Sequence, residues 1–337
     1  MSDIKKLVGS LCIFGFDGTS LPGLLKKMIE EWSLGGVILF RRNIESKEQV
    51  KDLIKEVKSC SKEKMFVSVD HEGGRVFRLP PPFTQIPSAR EIATSRLLPL
   101  LTKEGLGGRS AFDWGVLMGQ ELREVGFNLN YAPVLDVDSN PDNPIIGDRA
   151  FGVDPQTVIE NGLALIGGLR SEKIIPCGKH FPGHGDTSKD SHLELPRVDQ
   201  PLERLEEIEL APFRAAVNKQ IEMLMTAHVL YPALDGLLPA TLSPKILTNL
   251  LRNEMAYEGL IISDDLNMKA ISDAYGLGEA ARLFLEAGGD IPLICRGEEA
   301  EWEVLEYLEK CLRDKELNMS KVEKSCQRVR GLKQKYL

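Results

Sequence analysis

Eight short, densely apolar runs are dealt almost evenly along the chain, and they limit what it can fold into more than any other feature. They cover residues 7–16, 36–40, 65–69, 127–137, 173–178, 221–229, 260–263 and 291–295. Each is rich in Val, Ile, Leu and Phe, and none alternates apolar with polar positions. Strands covered by helices on both faces read this way, whereas a sheet with one wet face shows alternation. Between the runs lie stretches with helical spacing and charged faces, at 24–32, 47–59, 111–125, 155–170, 202–218, 244–255 and 279–287, with a further amphipathic stretch at 320–337. Ser243 and Pro244 fit the N-cap and first position of one of these helices. Strands alternating with helices eight times predict an α/β fold, a single-domain (β/α)8 TIM-type barrel over residues 1–337 that ends in a helix. A doubly wound open sheet is the structural alternative.

Composition narrows the partners. Lys and Arg number 42 against 50 Asp and Glu, a net charge of −8. Such a chain has no general attraction for phosphate backbones or anionic lipid, so neither nucleic acid nor membrane is an expected partner. No stretch reaches the roughly 18 apolar residues of a membrane-spanning helix. Lys5-Lys6 before the first apolar run mimic a signal peptide, but Asp17-Gly18 follow it instead of a small-residue cleavage site. The six cysteines form no CxxC pair and read as reduced packing residues, so a reducing, cytoplasmic location is expected. A monomer is the default expectation.

Polar groups follow the carboxyl end of nearly every run, among them Asp17, Arg41, Asp70, Asp136, His180, His228, Asp264 and Arg296. In a barrel these ends ring one mouth, where active sites form. The densest cluster is Lys179-His180-Phe181-Pro182-Gly183-His184-Gly185-Asp186-Thr187, followed by Asp190-Ser191-His192. His180 and His184 have the i, i+4 spacing of a helical zinc site, but Pro182, Gly183 and Gly185 argue against a helix, and no metal is expected. As a loop, the segment carries Asp190 and His192 close enough to hydrogen-bond, which would orient an imidazole for proton transfer near neutral pH.

The next feature is Ser263-Asp264-Asp265 at the end of a buried run. One carboxylate can point into a barrel mouth while its neighbour bonds to backbone, and an inward carboxylate suits nucleophilic attack on an anomeric carbon. The alternative is a helix N-cap. In Asp70-His71-Glu72-Gly73-Gly74-Arg75-Val76-Phe77-Arg78, the paired glycines let backbone approach a ligand, Asp70 and Arg78 can bind sugar hydroxyls or carbonyls, and Glu72 can instead be read as a catalytic acid. Gly147-Asp148-Arg149 alone is as compatible with a turn and a surface ion pair.

Together, VDHEGGRVFRL, NLNYAPVLDVD, IIGDRAFG, KHFPGHGDTSKDSH, MLMTAHVLYPALD and LIISDDLNM resemble glycoside hydrolase family 3, in family order from the third run to the seventh. They look most like its single-domain bacterial branch, the β-N-acetylglucosaminidases of peptidoglycan recycling. The resemblance implies a barrel, cleavage of β-linked GlcNAc with retention, no cofactor, and a small carbohydrate substrate, either a muropeptide bearing GlcNAc on anhydro-MurNAc or a chitooligosaccharide. It implies Asp264 as nucleophile, His192 as general acid/base with Asp190 orienting it, and Asp70, Arg78, Arg149, Lys179 and His180 as sugar-binding residues. His228 is implied to line the pocket. His71 departs from the pattern, since Gln is common there. The chain ends soon after the eighth run, leaving no room for the second domain usual in the family's β-glucosidases. Competing readings are a phosphorylase using the same intermediate, a metal-dependent barrel hydrolase and a non-catalytic sugar-binding protein.

Overall fold

A computed structural model describes residues 2–95, 109–188 and 195–337. Eight parallel strands close into a barrel in sequence order: β1 (Ile13–Gly15), β2 (Gly36–Leu39), β3 (Phe66–Val69), β4 (Leu129–Asn130), β5 (Ile175–Phe181), β6 (Met223–Thr226), β7 (Leu260–Asp265) and β8 (Ile291–Ile294), with β8 pairing back onto β1. Every residue of β1 to β6 and β8 is buried, as non-alternating apolar runs require. Two strands lie close because one is glycine where they meet: a Cβ on Gly36 would stand 2.6 Å from the Phe66 carbonyl oxygen.

Helix limits follow local chemistry. Ser46 caps Lys47–Cys60 by accepting from Gln49 N. Ser110 and Asp113 form a reciprocal capping box at the start of Ala111–Val125. Asp154 caps Pro155–Ser171, with Pro155 in the first turn.

Three expectations change in detail. The run 7–16 is not one strand: Ser2–Leu11 is a helix and only Ile13–Gly15 pairs. Val8 and Leu11 are buried three residues apart, which is helical spacing, and Gly9 packs so closely that a Cβ would meet the Trp32 carbonyl oxygen at 2.0 Å. The run 127–137 gives only two strand residues, since Pro133 interrupts the ladder. There, side chains replace backbone: Asn128 accepts from Val67 N and donates to Met65 O, and Asn130 does the same with His71 N and O. Helix Glu298–Arg313 was not among the expected helices, although three acids in its first turn and basic residues in its last suit the helix dipole.

The C-terminal helix Met319–Tyr336 is fastened at the amino end of the barrel by Asp290, which is fully buried. Asp290 accepts from Ser325 Oγ at 2.7 Å, Arg328 at 2.8 Å and Ile261 N at 2.8 Å, and pairs with Arg252. Asp290→Ala leaves Arg252 without its buried partner, and breaking such a pair costs about 3–5 kcal/mol. Urea unfolding should show a loss in that range, whereas Lys26→Ala, which removes an exposed ion pair, should cost less than about 1 kcal/mol.

Candidate active site

A cavity of about 350 Å³ opens at the carboxyl ends of the strands. Asp70 and Glu72 reach it from the loop after β3, Arg149 from the loop after β4, Lys179 and His180 from the end of β5, and Asp264 from the end of β7. The structure therefore brings together Asp70, Arg78, Arg149, Lys179, His180 and Asp264 from the predicted set. Asp190 and His192 lie outside the described residues.

One wall is an ion cluster. Lys179 Nζ lies 2.7 Å from both Asp70 Oδ1 and Glu72 Oε1. Arg149 grips Glu72 in bidentate fashion, Nε to Oε2 at 2.9 Å and a terminal nitrogen to Oε1 at 2.8 Å. Burial alone would raise the Glu72 carboxyl, but Arg149 and then Lys179 outweigh it and hold it far below the usual carboxylate range. A carboxylate held ionised in this way has no proton to give, so the reading of Glu72 as a catalytic acid fails. Its place is to orient the two cations. Arg78 contrasts with Arg149: it has no ion pair or hydrogen bond among the described residues and lies over the Phe40 ring at 5.7 Å. Its guanidinium is thus available to a ligand.

The adjacent acids on β7 divide as expected. Asp264 lines the cavity. Burial raises its carboxyl, but the His180 and His228 rings and the Asp265 N–H, 2.8 Å from Oδ1, bring it below its ordinary value. Asp265 turns into the barrel wall, where Oδ1 accepts from Asn267 N at 3.0 Å and Cys295 N at 3.1 Å. Burial pushes the Asp265 carboxyl up. The site thus presents one ionised carboxylate that has no cation in a salt bridge with it among the described residues.

His228 is a correction. It is fully buried, and both ring nitrogens are engaged: Nε2 donates to the Asp265 carbonyl at 3.0 Å and Nδ1 meets the Thr241 hydroxyl at 2.7 Å. It stands behind the wall and holds the backbone beside Asp264, where it has no nitrogen left for substrate. His71 is also away from the cavity floor. Its ring packs on Phe77 at 4.6 Å, and neither nitrogen has a partner among the described residues.

Burial, reinforced by Arg78, pushes the His71 pKa from 6.5 down to about 3. Between those values the unfolded chain takes up a proton that the folded chain refuses, so this contribution to stability is complete above pH 6.5 and lost as pH falls. The slope is about 1.4 kcal/mol per pH unit. His71→Gln removes it, so the stability gap between pH 7 and pH 5 should shrink by roughly 2 kcal/mol relative to wild type in denaturant titrations.

The segment 180–188 is anchored by a residue that the sequence showed without its role. Asp136 is fully buried after β4; Oδ1 accepts from His180 N at 3.1 Å and His184 N at 2.7 Å, and Oδ2 lies 2.6 Å from His180 Nδ1. Asn143 Nδ2 donates to the carbonyls of His184 and Gly185, each at 2.9 Å. Gly185 must be glycine, because a Cβ would fall 1.6 Å from the Val137 carbonyl oxygen. Asp136 was visible only as one polar residue at a strand end; nothing in its spacing announced a partner 44 residues away. His180 and His184 rings are 5.8 Å apart, and their Nδ1 atoms face Asp136 and Thr187. No group of three or more His, Cys, Asp or Glu among the described residues could hold a metal ion.

A closed parallel barrel with an ionised carboxylate and clustered cations lining a cavity at its carboxyl mouth defines a barrel enzyme. The profile of the glycosyl hydrolase family 3 N terminal domain matches residues 21–332. A beta-hexosaminidase of Alkalilimnicola ehrlichii is 38% identical over 303 residues, covering 90% of this chain and 85% of that protein. A glycoside hydrolase family 3 β-N-acetylglucosaminidase of Paenibacillus sp. FPU-7 superposes with a TM-score of 0.93 at 37% identity; the match covers 98% of this chain but only 62% of that one. NagZ of Neisseria gonorrhoeae, solved with N-trifluoroacetyl-D-glucosamine, superposes with a TM-score of 0.78 at 32% identity, covering 96% of this chain and 98% of its own. The chain belongs to glycoside hydrolase family 3.

Proposed function

We propose that this chain is a retaining β-N-acetylglucosaminidase that removes terminal β-linked GlcNAc, with cell-wall muropeptides as substrates, acting as a single barrel unit in the cytoplasm. Support for the sugar comes from the names of the relatives, one of them bound to a GlcNAc analogue. Support for the compartment comes from the cysteines, all six of which are free thiols.

The observation that carries the mechanism is the unequal state of the acids around the cavity. Asp264 is ionised and has no cation bridged to it among the described residues, whereas Asp70 and Glu72 are both tied to Lys179. A retaining glycosidase needs one nucleophilic carboxylate and one proton donor. Asp264 suits the first role, and among the described residues no carboxyl in the cavity is free for the second. The donor then comes from His192, oriented by Asp190, as the DSH motif implies. Asp264 attacks the anomeric carbon while His192 protonates the departing oxygen; neutral His192 next takes a proton from water, which hydrolyses the ester and frees the sugar. Asp70, Arg78, Arg149, Lys179 and His180 hold the sugar.

Comparing aryl β-GlcNAc with aryl β-glucoside tests the reading. Turnover of the first, with the β-anomer of the sugar appearing first by NMR, is expected; preference for the glucoside or release of the α-anomer overturns it. Running the assay in phosphate separates hydrolysis from phosphorolysis, since the latter yields a sugar 1-phosphate.

A further inference from the structure

We propose that Asp136 is a positioning residue for this reaction: it fixes His180 in the tautomer that carries its proton on Nδ1, so that Nε2 is the nitrogen presented to the sugar beside Asp264. This rests on the reading of the cavity as the sugar site.

The argument is one of hydrogen-bond counting. Asp136 Oδ1 is occupied by two backbone donors, His180 N and His184 N, and Oδ2 faces His180 Nδ1 at 2.6 Å. An ionised carboxylate only accepts, so Nδ1 must donate. Burial works against ionisation of Asp136, but the His180 ring and the His184 N–H outweigh it. The His180 ring lies on the cavity wall with Asp136 behind it, which leaves Nε2 for the cavity. The other titratable groups around the ring are His184 from the same segment, Lys179 beside it in sequence, His228 from the β6 end and Asp264 from the β7 end. None of these is hydrogen-bonded to Nδ1, whose partner among the described residues is Asp136. The same carboxylate therefore sets two things at once, the backbone at the root of the segment and the proton on the ring.

Asparagine separates these two effects. Asp136→Asn keeps the shape, and its single amide oxygen can still accept from the two backbone N–H groups. Its NH2 then faces Nδ1 and donates, which forces the ring proton to Nε2. A hydrogen bond to a charged group differs from a neutral one by enough to change kcat/KM roughly ten- to hundredfold.

The test is 15N NMR of protein labelled in its imidazoles, five in all, with His180→Gln used to assign the His180 signals. The wild type at neutral pH is expected to show a protonated Nδ1 on His180, and Asp136→Asn a protonated Nε2 with Nδ1 unprotonated. kcat/KM on aryl β-GlcNAc should fall ten- to hundredfold while the thermal unfolding midpoint stays near wild type. A neutral Nε2–H tautomer in the wild type overturns the proposal, and so does an Asp136→Asn enzyme with the switched tautomer and unchanged kcat/KM. The wild-type spectrum decides the tautomer even if the variant does not fold. Because that spectrum needs no turnover, failure of the wild type to cleave the aryl glycoside sinks the proposed activity and is distinguishable from a wrong tautomer.

Discussion

Asp264→Ala is expected to lower kcat by roughly 10^4- to 10^6-fold, the scale on which removal of a covalent nucleophile acts. The carboxylate has two jobs in the proposed reaction. It forms the bond to the anomeric carbon, and before that its charge favours the oxocarbenium character of the transition state. Neither has a substitute among the described residues of the cavity. Asp265 is spent on the N–H groups of Asn267 and Cys295, and Asp70 and Glu72 are spent on Lys179. KM should change much less, because the sugar-binding cations stay in place. The sharper sign is stereochemical. With the side chain gone, azide can occupy the vacated face and attack the anomeric carbon of an activated aryl β-glycoside, expelling the phenolate. The product is the α-glycosyl azide, formed with one inversion. A variant that keeps turnover within tenfold of wild type, or that gives the β-azide, removes Asp264 from the nucleophile's position.

Much of this was legible in the sequence, and the part that was not follows a physical pattern. The barrel was readable because burial on both strand faces erases alternation, and β2 and β8, apolar and buried at every position, carry that signature without interruption. The division of labour between Asp264 and Asp265 was readable because successive strand residues point opposite ways. Errors came where helical and strand periods overlap over a few residues, as in 7–16, where Val8 and Leu11 serve a helix and Ile13–Gly15 a strand. Roles that depend on a contact distant in sequence could not be read at all. His228 sits in a motif that implies a pocket-lining residue, yet its nitrogens serve Thr241 and the Asp265 carbonyl. Glu72 has the right chemistry for an acid, but Arg149, 77 residues on, takes its proton-binding capacity away. Asp136 could be seen as a polar strand-end residue, but its role could not, since its importance lies in what folds against it.

The second large effect falls on His192. His192→Ala should cost roughly 10^2- to 10^4-fold on substrates whose leaving group is an alkyl or sugar alcohol, the usual worth of general acid catalysis. On aryl glycosides with acidic phenols the first step needs little protonation, so that step should slow far less. Water attack on the intermediate, which still lacks its base, should then limit turnover, and a burst of phenol is expected. Azide, which needs no base, should restore turnover of these substrates by attacking the ester intermediate on Asp264. Two inversions then give the β-glycosyl azide, opposite in configuration to the product expected with Asp264→Ala. The pair of variants thus assigns both roles by product geometry, independent of rate. In the proposed mechanism an imidazole has an advantage of charge: a second carboxylate, once deprotonated, would repel an ionised nucleophile, whereas a histidine that has given up its proton is neutral. Equal losses on activated and unactivated substrates, with no azide rescue, would mean that the proton comes from another group.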